Sequence, residues 1–152
     1  MFQLILQNNT LRMRTTPTMQ KIITRIAKKN GYSVPLLQSE RRLFLQLEGL
    51  PPLHLVLSPD YVSVSQIEQE SGEFYCDPEV LFYTGGRGWV PIHASQMGFI
   101  DETYAKPNWR IGGITLVPGE ETRQREQARK CEQWAQELQA QGWLERATRP
   151  HA

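Results

Sequence analysis

The sequence predicts an α+β domain: one antiparallel sheet of about five or six strands, with an N-terminal helix and a longer C-terminal helix on one face. Three observations carry this. Helical apolar spacing is confined to two segments flanking the middle of the 152-residue chain. Between them the apolar period changes to two, in runs separated by Gly-, Pro- and Ser-bearing turns. The order of helix, then strands, then helix is that of a sheet with its helices segregated to one side.

The elements follow in order. Phe2, Leu4 and Leu6 alternate with Gln3, Ile5 and Gln7, so residues 1–16 read as a flexible arm or an edge strand. The first helix starts at Thr16 as N-cap with Pro17 in the first turn, and Gly31 ends it. Met19, Ile22, Ile23 and Ile26 form its apolar face. Strands are expected around Leu43, Leu45 and Leu47, and around Leu53, Leu55 and Leu57. Others are expected at DYVSVSQIEQ, EVLFYT and WVPIHA, and at Gly113 to Val117. Val80 to Tyr83 is apolar or aromatic on both faces, which predicts a central, covered strand. The last helix runs from Glu120 to Gln141 and closes at Gly142. Ala128, Cys131, Trp134, Ala135 and Leu138 make its stripe, and Glu121–Arg125 and Glu126–Lys130 are its i,i+4 pairs. Its first turns lack apolar residues and are expected to project into solvent. Residues 17–145 thus form a single domain and 146–152 a loose tail.

Three glycines crowd the segment LFYTGGRGWVPI. A phosphate-binding P-loop needs a Lys-Ser or Lys-Thr pair and a following helix. Here Gly85, Gly86 and Gly88 lead into Trp89, Val90 and Pro91, so the glycines are read as turn residues supplying positive φ.

Composition sets further bounds. The chain is 39% hydrophobic, its mean hydropathy is −0.48, and no apolar run approaches the ~20 residues of a membrane helix. The start is a poor signal peptide and the two cysteines form no CxxC, so a reducing cytoplasm is the expected setting. No metal-ligand spacing joins His54, His93 or His151 to Cys76 or Cys131, and no cofactor motif occurs. A Cys76–His93 nucleophile pair, with Asp77 nearby, is the one route to catalysis, and it needs the fold to bring them into one pocket.

Charge is divided unevenly. Arg12, Arg14, Lys21, Arg25, Lys28 and Lys29 occupy the first thirty residues without an acid. From Asp60 to Glu102 eight acids stand against Arg87 alone. Two binding readings follow, and internal pairing of the two halves would remove both. Glu68, Glu70, Glu73, Asp77 and Glu79 offer an acidic sheet surface for a protein partner, such as one with a basic nucleic-acid groove. The basic residues offer a nucleic-acid contact, with a merely solvated helix face as its alternative. Trp109 and Trp143 flank loops and are expected to be exposed, whereas Trp89 and Trp134 are expected to pack.

The segment from Tyr61 to Ala105 resembles a family of small uncharacterised domains carried on phages, plasmids and integrative elements. The matching residues are Val62, Val64, Asp77, Pro78, Glu79, Phe82, Trp89, Pro91, Ile92, Gln96 and Gly98. The resemblance implies no reaction and no catalytic residue. It implies a mobile-element accessory protein that binds host machinery or nucleic acid.

Overall fold

The computed structural model describes residues 13–70, 73–96 and 100–150, with backbone only at 69, 70, 73–77 and 100. Helix α1 spans Pro17–Lys29, and a 3-10 turn follows at Val34–Leu36. Six strands then form one antiparallel meander in chain order: β1 (Arg41–Leu45), β2 (Leu53–Leu57), β3 (Tyr61–Glu70), β4 (Glu73–Tyr83), β5 (Val90–Gln96) and β6 (Ile100–Thr103). A separate hairpin pairs β7 (Ala105–Asn108) with β8 (Gly113–Leu116). Helix α2 (Glu121–Gln141) comes last.

The expected fold class is the observed one. Alternation turns Leu43, Leu45, Leu53, Leu55, Leu57, Val62, Val64, Val80 and Phe82 to one face. Met19, Ile22, Ile23 and Ile26 of α1 meet that face, as do Cys131, Ala135 and Leu138 of α2. Each such Leu or Ile contributes about 1.5–3 kcal/mol on full burial. β4 lies between β3 and β5, and both its faces are covered: Val80 and Phe82 join the main core, while Leu81 and Tyr83 pack on a second apolar cluster. Gly142 closes α2 at φ +87, in the left-handed region that a helix C-cap favours.

Two strand prolines explain two irregularities. Pro78 and Pro91 cannot donate to a ladder, and both fall where pairing breaks. Between Ser65↔Glu79 and Ile67↔Cys76, Asp77 and Pro78 stand against Gln66 alone. Between Leu81↔His93 and Phe82↔Pro91, Ile92 is the extra residue. Both are β-bulges, which bend the strands and add twist.

Several expectations require correction. The strand at 113–117 leaves the main sheet and pairs with β7, on a small second core of Met13, Val90, Ile92, Ala105, Ile114 and Leu116. Gly85, Gly86 and Gly88 do not take positive φ; a close approach explains the first and last. A Cβ on Gly85 would stand 2.7 Å from the Tyr83 hydroxyl, and one on Gly88 would stand 3.0 Å from Thr15 Cγ2. Thr16 does not cap α1 through its side chain; its Oγ1 donates to the Trp89 carbonyl at 3.0 Å. Glu132 of α2 does the capping instead, accepting from the Thr18 and Met19 N–H groups at 3.0 and 2.9 Å. Glu126 pairs with Arg129 at 2.5 Å rather than with Lys130, whereas Glu121 and Arg125 pair at 3.2 Å as expected.

The first turn of α2 is not wholly in solvent. Gln124 is fully buried, and its amide clamps residue 14. Its Oε1 accepts from Arg14 N–H at 2.8 Å, and its Nε2 donates to the Arg14 carbonyl at 2.9 Å. Of the expected arm, residues 13–16 are therefore fixed, and the strand at Phe2 to Leu6 lies outside the described residues. Nor is the tail loose where it is described. Thr148 and Gln46 exchange backbone bonds at 2.8 and 2.9 Å, and Arg149 stands over the Tyr32 ring.

Candidate functional site

β3 and β4 outrun their neighbours. β2 pairs with β3 as far as Gln66, and β5 pairs with β4 from Glu79 onward. The Ile67 N–H still donates to the Pro52 carbonyl at 2.9 Å, and from there the paired ends of β3 and β4, Ile67 to Glu70 and Glu73 to Cys76, form a two-stranded arm. Glu68 lies opposite Tyr75, and Glu70 lies opposite Glu73. Asp77 and Glu79 follow at the arm's base. All five acids singled out from the sequence thus share one hairpin, and no basic residue occurs between Tyr61 and Gly86. Glu68 and Glu79 are half-buried and form no ion pair among the described residues.

The basic residues lie on the helix layer. Lys21, Arg25 and Lys28 are exposed at i, i+4 and i+7 and have no carboxylate partner among the described residues. Lys29 is used otherwise: its Nζ donates to the Leu144 and Glu145 carbonyls at 2.6 and 3.1 Å, tying α1 to the C-terminal turn. Arg14 is exposed, with its backbone held by Gln124. Arg12 lies outside the described residues. Arg14, Lys21, Arg25 and Lys28 thus form no ion pair with Glu68 or Glu79.

The conditions for a cysteine–histidine pair are not met along the strands. Leu81 is the register partner of His93, and Cys76 lies five residues further along β4, roughly 17 Å at strand rise. His93 instead occupies both ring nitrogens across β5 and β6. Its Nδ1 is 2.9 Å from Thr103 Oγ1, and its Nε2 is 2.5 Å from Asp101 Oδ1. His54, three strands away on β2, packs 6.3 Å from Phe44. Burial and then Arg42 lower its pKa, against a smaller raising effect of Glu79.

A cleft of about 230 Å³ opens between the helix side of β4–β6 and α2, lined in part by Val80, Glu102, Tyr104, Cys131 and Trp134. Its thiol and its phenol are held protonated. Burial pushes the Cys131 thiol up to about 12, which leaves it without thiolate at neutral pH. Burial and a 2.8 Å hydrogen bond to Glu102 raise the Tyr104 hydroxyl further. No group of three or more His, Cys, Asp or Glu side chains is placed to hold a metal among the described residues. No helix of the described residues is long and apolar enough to cross a membrane.

The tryptophans divide differently from expectation. Trp143 is buried at 1% exposure, whereas Trp109 is 97% exposed. Trp89 packs on Phe82, and half-buried Trp134 donates its indole N–H to Gln66 Oε1 at 3.1 Å. Fold and surface together define an α+β domain with two helices on one sheet face and five of its acids on one hairpin. No protein-family model, no curated protein and no solved structure matches the chain.

Proposed function

We propose that this protein is a non-enzymatic binding module, an accessory protein of a mobile element, whose acidic β3–β4 arm engages a basic surface on a protein partner. The observation that supports this reading is the arm itself. It carries Glu68, Glu70 and Glu73, with Asp77 and Glu79 at its base and no basic residue among them, and among the described residues it extends past the strands that would cover its edges. Open strand edges invite pairing, and charged residues on them limit it to partners of opposite charge. Such a partner includes the basic groove of a nucleic-acid-binding protein, which an acidic ribbon occupies in place of phosphates.

The second reading is nucleic-acid binding through α1. It is favoured by Lys21, Arg25 and Lys28, which stay exposed and unpaired on one helix face. The two readings oppose each other in sign, so one titration series separates them. An Arg/Lys-rich peptide and labelled DNA and RNA are titrated against wild type, a Glu68→Lys/Glu70→Lys/Glu73→Lys variant and a Lys21→Glu/Arg25→Glu/Lys28→Glu variant. The first reading expects peptide binding that only the arm variant abolishes. Nucleic-acid binding lost only in the helix variant overturns it.

A further inference from the structure

At the end of the β3–β4 hairpin opposite the acidic arm, Tyr61 and Tyr83 are register partners. Their ring centroids are 5.6 Å apart and the planes are inclined at 60°. The β7–β8 hairpin brings Pro107, Trp109 and Gly113 alongside, forming an open groove of about 460 Å³ that Tyr61, Tyr83 and Asp60 also line. Trp109 stands almost wholly in solvent at the tip of that hairpin.

Asn108 in this groove is bonded to Thr115 and to the Arg110 N–H, and the other polar side chains are unspent. The Tyr61 and Tyr83 hydroxyls and the Trp109 indole N–H make no hydrogen bond among the described residues, and the Asp60 carboxylate has no ion pair. The Asp60 charge adds to burial in raising the pKa of both tyrosines, so both hydroxyls stay protonated donors at neutral pH. Asp60 is the only charged side chain in the lining.

These features select one occupant. The two tyrosine rings pack tilted against each other and share the groove lining with Pro107 and Trp109, so it is an uneven aromatic groove and not the flat platform on which a base or a sugar ring stacks. Aromatic-lined grooves accept the pyrrolidine rings of a polyproline II helix. That helix has no internal hydrogen bonds, so its carbonyls need donors, which the tyrosine hydroxyls and the indole N–H supply. A phosphate backbone is disfavoured beside the unpaired Asp60, whereas a guanidinium there gains an ion pair and an aromatic face. We infer that the groove formed by Tyr61, Tyr83, Trp109 and Asp60 binds a proline-rich peptide segment that carries an arginine or lysine beside its prolines.

This site is independent of the acidic arm. Nine residues of β3 separate Tyr61 from Glu70, roughly 30 Å at strand rise. The test uses the full chain and titrates an arginine-flanked oligoproline followed by amide and indole NMR resonances. A glutamate-flanked twin, an oligothymidine and a soluble oligosaccharide are titrated in parallel. The expected result is that the arginine-flanked peptide shifts Tyr61, Tyr83 and Trp109, and that the glutamate twin binds more weakly. Trp109→Ala, an exposed substitution whose folding circular dichroism checks, weakens binding at least about tenfold. Asp60→Asn removes the preference between the two peptides. The arm variant Glu68→Lys/Glu70→Lys/Glu73→Lys keeps the groove shifts, which separates this site from the arm. The inference is overturned if neither peptide shifts these residues, if the twins bind equally, or if the oligothymidine or the sugar occupies the groove instead.

Discussion

Replacing Gln124 with leucine removes the clamp that holds the chain entering α1. The side chain is fully buried and close in volume to leucine, so packing changes little. What changes is hydrogen bonding. The Arg14 N–H loses a 2.8 Å acceptor and the Arg14 carbonyl loses a 2.9 Å donor, while a third, longer contact to the Pro91 carbonyl at 3.4 Å adds little. A buried group left without its partner costs about 1–3 kcal/mol. Two such groups, offset in part by the added apolar surface, give a net loss of about 3 kcal/mol. A chain of this length shifts by about 2–4 °C per kcal/mol, so Tm falls by roughly 6–12 °C. Thermal denaturation followed by circular dichroism reads this directly, with Thr122→Leu on the exposed side of the same turn as the control. Hydrogen exchange adds a local readout: the Arg14 amide, protected in wild type, exchanges freely in the variant. A Tm within about 2 °C of wild type, or an unchanged Arg14 amide, refutes the assignment of Gln124 as a buried clamp.

Three further outcomes follow from the same geometry. Glu132→Ala strips the acceptor from two N–H groups at the start of α1, and chemical denaturation should show a loss of about 1–2 kcal/mol. Gly85→Ala forces a methyl against the Tyr83 hydroxyl and lowers Tm, whereas Gly86→Ala, whose nearest contact is 3.7 Å, leaves it unchanged; equal effects would restore the positive-φ reading. Stability falls in alkali because the buried Cys131 thiol keeps its proton in the fold. Its contribution is intact below pH 9, where the thiol is protonated in both states. It declines as pH rises from 9.0 to about 12, because the unfolded thiol ionises first, by up to about 4 kcal/mol. Urea titrations at stepped pH should show this slope reduced in Cys131→Ala relative to its own neutral value.

Much of the fold was legible because period and burial agree. The alternating leucines of β1 and β2 and the isoleucines of α1 all reach the shared core. Elements whose causes are tertiary were missed. Ile100 to Thr103 and Ala105 to Asn108 are short and polar, and only pairing with β5 and β8 makes them strands. Gln124 and Glu132 read as helix surface because their partners are backbone groups over a hundred residues away. Prolines at 78 and 91 argue against central strands until the bulges are seen. The acids of the arm were legible as composition, but not that β2 and β5 stop short of them. The tyrosine pair was foreseeable in outline from a β3–β4 hairpin; the third wall, Trp109, depended on where the second hairpin packs.

The most direct test of the central claim is the salt dependence of binding to an Arg/Lys-rich peptide and to DNA, measured side by side on wild type. The account predicts peptide binding that weakens steadily with salt and disappears on reversing Glu68, Glu70 and Glu73, with no binding to DNA. Tight DNA binding at low salt that disappears on reversing Lys21, Arg25 and Lys28 contradicts it and moves the functional surface to α1.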